Sequence, residues 1–176
     1  GCTFSTPGPN NVITVVKSLA SMSESSFSGG PIRSESSIVN IFDSEINSSG
    51  PGVPGMVAIN SSSVNLVRVE IFGRMLFEKS TSAVLSGVTQ TGIGMQPNEA
   101  NIGSNVVVGS AGQPTGGPPN IDSNLAPFTL ANFSNLVLNQ ASVIGGDLIC
   151  RTGGNAHCAN PANVTGLTNC GLCPKP

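Results

Sequence analysis

At 176 residues and a formal charge of −2, the chain is long enough for one domain that buries about 70% of its unfolded surface, and its charge balance argues against nucleic-acid binding, which calls for a basic patch or stripe. Charged residues make up only 9% of the chain, against roughly 25% in an ordinary soluble domain. A hydrophobic content of 38% and a mean hydropathy of +0.16 nevertheless exclude the disordered class, which combines few apolar groups with high net charge.

Solubility must rest on Ser, Thr, Asn and Gly, the habit of secreted and surface-exposed proteins. No window of about 18 uncharged apolar residues occurs, so no membrane span is expected. The N-terminal residues show no basic region followed by an apolar one, and the sequence reads as a mature form freed of a signal.

Residues 1–16 read as an extended arm, "GCTFSTPGPN", leading into a β-branched strand, "NVITVV". Residues 17–150 read as a β-domain that begins with a long Ser- and Gly-rich surface loop from Ser18 to Ser37. Strand signals follow at Ser37–Phe42, then turn material at Gly50–Gly55. In Val64–Phe72, Val67, Val69 and Ile71 alternate with Arg68 and Glu70, the period of a half-buried strand. The apolar run continues through Met75 to Phe77, and Gly73 divides it into two strands or bends one.

Further strand signals stand at Ala83–Gln90, Asn105–Gly109, Ala126–Phe133, Asn135–Gln140 and Ser142–Cys150, with a loop at Gly109–Asn120. Many short strands punctuated by Gly, Pro, Asn and Ser predict an all-β antiparallel sandwich or barrel. A parallel β-helix is the alternative, against which stands the lack of a fixed repeat of 20–30 residues.

Residues 151–176 read as a tail docked on that domain. No serine follows Ser142, and the tail has no Ile, Phe or Met, so it cannot build a core of its own. It does carry Cys158, Cys170 and Cys173, close behind Cys150. A structural zinc site needs four ligands, commonly two close pairs, and only Cys170 and Cys173 form one. A redox pair needs a helix N-terminus or similar support, which "CPKP" does not offer. Disulfides among these four cysteines are the expected staple.

Cys2 is then left over, a candidate for an intermolecular link or for lipid attachment, although Gly1 ahead of it departs from the lipoprotein pattern. Asn47, Asn60, Asn132 and Asn163 head Asn-x-Ser/Thr sequons and are candidate glycosylation acceptors.

Catalytic chemistry finds little support. Asp43 and Glu45 share one strand face without an evident partner across a cleft. Asn120, Asp122 and Asn124 resemble the start of a calcium loop, but Leu125 stands where glycine is needed. His157, the sole histidine, reads as a surface residue. Neither a nucleophile elbow nor a phosphate-cradling loop occurs. The expectation is therefore no enzyme, no cofactor and no metal.

The leading function expected is a structural subunit of an extracellular or cell-surface filament or adhesive fibre. It would polymerise with copies of itself when residues 1–16 add a strand to a neighbour. The alternative is a monomeric secreted module binding a glycan or protein through the loops Ser18–Ser37 and Gly109–Asn120.

Overall fold

The computed structural model describes residues 1–8, 10–50, 52–91, 97–109, 123–139, 142–160, 163–171 and 173. The chain winds as a three-faced coil. The first turn supplies β1 (Thr3–Ser5) and β2 (Ile13–Val16), and the second supplies β3 (Leu19–Ser23), β4 (Ser26–Gly29) and β5 (Ile32–Glu35). The third turn holds β6 (Ile38–Ser48), long enough to line two faces, and β7 (Pro54–Ile59); the fourth repeats this with β8 (Ser63–Phe72) and β9 (Arg74–Glu78).

The fifth turn has β10 (Ser82–Ser86), β11 (Thr89–Thr91) and β12 (Asn98–Asn101). The sixth has β13 (Asn105–Val108), β14 (Ser123–Leu125) and β15 (Phe128–Leu130). After β16 (Asn135–Leu138), β17 (Ser142–Ile144) and β18 (Leu148–Cys150), the last turn starts with β19 (Asn155–Cys158) and closes with single bridges from Val164 to Ile144 and from Thr168 to Leu148.

Each strand pairs in parallel with its counterparts one turn away. This overturns the antiparallel sandwich or barrel, because every strand pair among the described residues is parallel; the architecture is a parallel β-solenoid, stacked turn on turn. Two further expectations change with it. Residues 1–16 are not an extended arm: β1 pairs with β4 and β2 with β5, within the same chain. The expected loop from Ser18 to Ser37 is instead the second turn, with strands on all three faces.

The core is a set of columns running along the coil axis. On the first face Val39, Val64, Ala83, Val106, Leu136 and Ala156 stack in register, and beside them Ile41, Leu66, Leu85, Val108, Leu138 and Cys158. On the third face the column runs through Ala58, Phe77, Ala100, Leu130 and Cys150. Small residues flank the large Phe77, so the column fills evenly without overpacking.

Corners need tight backbone reversals, and the chain meets that need with left-handed residues. Glu24, Asp43, Arg68 and Gly87 hold positive φ at the first-to-second corner. Gly73, at φ 128, turns β8 into β9. A Cβ there would lie 2.6 Å from Ser48 Oγ and 2.9 Å from Gly55 N.

At the third-to-first corner a buried hydroxyl column joins successive turns. Ser18 N–H donates to Ser37 Oγ (3.1 Å), Thr81 N–H to Ser104 Oγ (3.2 Å) and Ser104 N–H to Ser134 Oγ (3.2 Å). The hydroxyls of Ser37, Ser62, Thr81 and Ser104 in turn donate to the carbonyls of Glu35, Ile59, Glu78 and Asn101. Backbone groups that the corner takes out of the sheets are thereby satisfied.

The tail forms the end of the solenoid. Cys150 bonds to Cys170 and Cys158 to Cys173. Cys158, Cys170 and Cys173 belong to the buried core, so the two disulfides serve as the apolar lid that a tail without Ile, Phe or Met could not otherwise supply. Asn169 reinforces it, with its side-chain amide giving and taking hydrogen bonds with the Cys150 backbone at 2.9 and 2.7 Å.

Candidate functional site

The solenoid presents three outer faces of unlike chemistry. The second carries Glu45 and Glu70, direct neighbours between β6 and β8. The third carries Arg33, Glu35, Arg74, Glu78 and Glu99. Further charges stand at the corners. On the first face, made by β3, residues 38–42 of β6, residues 63–67 of β8, β10, β13, β16 and β19, there is no Asp, Glu, Lys or Arg among the described residues.

What this face shows to solvent follows from the strand period. One outward column runs through Leu19, Ile38, Ser63, Ser82, Asn105, Asn135 and Asn155. The next runs through Ser21, Asn40, Asn65, Val84, Val107, Val137 and His157. Leu19 is 70% exposed, Ile38 50% and Val84 43%. The Asn135 amide donates to Asn105 Oδ1 at 2.9 Å, holding the column in order. Seven strands spaced about 4.8 Å apart make the face about 29 Å tall.

A shallow depression of about 560 Å3 lies at the N-terminal end of the first-to-second corner, lined by Cys2, Glu24, Asp43, Glu45, Arg68 and Glu70 among others. Arg68 grips Asp43 with Nε to Oδ1 at 2.5 Å and Nη2 to Oδ2 at 2.8 Å. That hydrogen bonding holds the Asp43 carboxyl below its usual range and raises the Arg68 guanidinium. Both side chains are solvent-exposed. Among the described residues no group of three His, Cys, Asp or Glu is arranged to hold a metal.

The sequence-derived residues are scattered across this framework. Asp43 sits at a corner with φ 48 while Glu45 faces outward on β6, so the strand face expected to unite them is broken by the turn. Asn124 points outward on β14, and Asn120 and Asp122, with the whole of 110–122, lie outside the described residues. His157 is exposed on the first face.

Cys2 is a free, exposed thiol whose backbone is anchored, its C=O accepting from Ser26 N–H at 2.9 Å. Asn47 and Asn60 are half-buried and hydrogen-bond Glu45 and Glu35, and Asn132 is exposed beside Asn101. Asn163 differs from these three. It is 1% exposed, its amide donates to the carbonyls of Asn139 and Ser142, and its Oδ1 accepts from Asn160 N–H. A glycan there would require that corner to open.

Sequence reasoning missed the charge-free face. Its signal was present, since each stretch that forms it lacks charge, but the stretches only become one surface once the turns stack. The chain matches no family model, no curated protein and no solved structure.

Proposed function

We propose that this chain is a non-catalytic recognition module, working at a cell surface or in an extracellular setting, and that its first face binds a protein partner. The observation that carries this reading is the segregation of charge. An outer face free of ionic groups and exposing Leu19, Ile38 and Val84 can be covered without stripping water from charges. Depletion of charge also marks the centre of protein interfaces.

A glycan is the less favoured ligand because the chain has no Trp or Tyr with which to stack sugar rings. Two disulfides support an oxidising location. Strand donation from residues 1–16 is the less favoured route to assembly, because β1 and β2 already pair with β4 and β5 of their own chain.

The test uses a photo-crosslinker at Ser82 on the first face and, as control, at Thr129 on the third. Cells that produce the protein supply the partner, which is identified by mass spectrometry and then purified. We expect crosslinks from position 82 alone, and at least about tenfold weaker binding of the purified partner by Val84→Lys, a buried charge being costly. Equal crosslinking from both faces defeats the reading. Glycan binding that Val84→Lys abolishes transfers the face to a carbohydrate.

A further inference from the structure

The first face carries no permanent charge among its described residues, but it carries a conditional one. His157, on β19, is exposed and continues the outward column of Val84, Val107 and Val137. It is the only side chain of the face, among the described residues, that can gain or lose a proton. Histidine changes charge between pH 5 and 8.

No described residue is placed to neutralise that charge. β19 pairs with β16, whose residues Asn135–Leu138 hold no ionisable group. Behind β19, Cys158 and Cys173 are joined to each other and do not titrate. Arg151 is exposed and precedes the turn into β19, and its charge has the sign that repels; Lys175 lies outside the described residues. The ion pairs formed by the described residues, Arg33 with Glu35 and Arg68 with Asp43, belong to other parts of the coil.

Position matters as much as isolation. Val84 belongs to the fourth of the face's seven strands and His157 to the seventh, about 14 Å away at about 4.8 Å per strand. A standard protein interface covers about 800 Å2 on each partner, a patch roughly 32 Å across. Centred on Val84, such a patch takes in His157.

We propose that the protein partner held on the first face at neutral pH is released when His157 is protonated. This inference rests on the reading of that face as a protein-binding surface and names its regulation. A neutral imidazole can be covered together with the valines beside it. An imidazolium would have to be covered without a counter-charge, which is costly. The complex therefore favours the neutral ring, and affinity falls as pH drops through the histidine range. No carboxylate stands on the face to oppose the effect. A reference imidazole that the complex keeps unprotonated gives about a tenfold loss between pH 7.4 and pH 5.4.

The probe is the full chain carrying the photo-crosslinker at Ser82, applied below saturation to the producing cells at both pH values, with the crosslinked protein identified by mass spectrometry. We expect the yield of that protein to fall about tenfold at pH 5.4. His157→Asn should crosslink equally at both values, and His157→Lys weakly at both. His157 is exposed, so both variants should keep the thermal midpoint of the parent chain.

Equal yields from the parent chain at the two pH values overturn the proposal and leave the protein-binding face standing. So does a loss on acidification that persists in His157→Asn, or strong crosslinking by His157→Lys at pH 7.4. The absence of any crosslink from position 82 at either pH defeats the reading of the face itself, and this inference with it.

Discussion

Ser104 illustrates how much of this fold rests on single small polar residues. It is fully buried, accepts the Thr81 N–H and donates to the Asn101 carbonyl. Ser104→Ala would strand a buried donor, at a cost of about 1–3 kcal/mol, measurable as a lowered denaturation midpoint. Substituting exposed Ser82 should leave the midpoint nearly unchanged.

The serine-rich stretch from Ser18 to Ser37 misleads for the same reason. Serine usually signals loops, but here Ser25 and Ser37 are buried corner residues between short strands. Asp43 and Arg68 show a milder residue-scale effect. The folded Asp43 carboxyl is held below its unfolded value, so the pair stabilises the fold above about pH 4 and loses that contribution as pH falls through the lowered value. Asp43→Asn should therefore cost more stability at pH 6 than at pH 3. Solvent exposure of both groups keeps the difference small.

Among the elements, the strands were readable and their partners were not. The alternation of Val69 and Ile71 with Glu70 marked the second half of β8 and Gly73 the turn into β9, whereas Val67 is half-buried on the first face because Arg68, at φ 53, turns a corner after it. Yet alternation says only that one side of a strand is buried; it is the same whether the next strand runs parallel or antiparallel.

The C-terminal elements carried a clearer message. A stretch with three cysteines and almost no large apolar residues must be held covalently, and its disulfides end the interior columns at Cys150 and Cys158. Replacing Cys158 and Cys173 together with Ser should lower stability by about 3 kcal/mol. Amide exchange should accelerate from Asn155 to Cys173 well before it does in β8 and β10. Uniform acceleration along the chain would mean that the lid stabilises the solenoid as one cooperative unit.

For the molecule as a whole, the missing clue was the period. Along the first face the partners Leu19, Ile38, Ser63, Ser82, Asn105, Asn135 and Asn155 are spaced by 19, 25, 19, 23, 30 and 20 residues. The underlying turn is about 19 residues, and three insertions hide it. They fall between β6 and β7, between β11 and β12, and between β13 and β14. A search for a fixed repeat cannot see through them. The last turn is tied by two disulfides, whereas β1, β2 and β3 are each held by pairing with a single neighbouring strand. In a structure whose turns touch only their neighbours, hydrogen exchange should therefore advance from the N-terminal end inward. The slowest amides are expected in β8 and β10.

All three insertions avoid the corner that leads from the third face to the first, where the hydroxyl column runs. That corner acts as the molecule's ruler: it fixes the pitch, while the other two corners absorb extra length. A chain measured this way is divisible. Excising residues 63–81 removes one complete turn and brings Ser82 to the place of Ser63, Glu70 giving way to Thr89 and Leu76 to Glu99. The shortened protein should fold, melt cooperatively and keep both disulfides, whereas removing residues 63–72 alone would delete β8 and leave β7 followed directly by β9, two strands of the third face with nothing between them to form the other two.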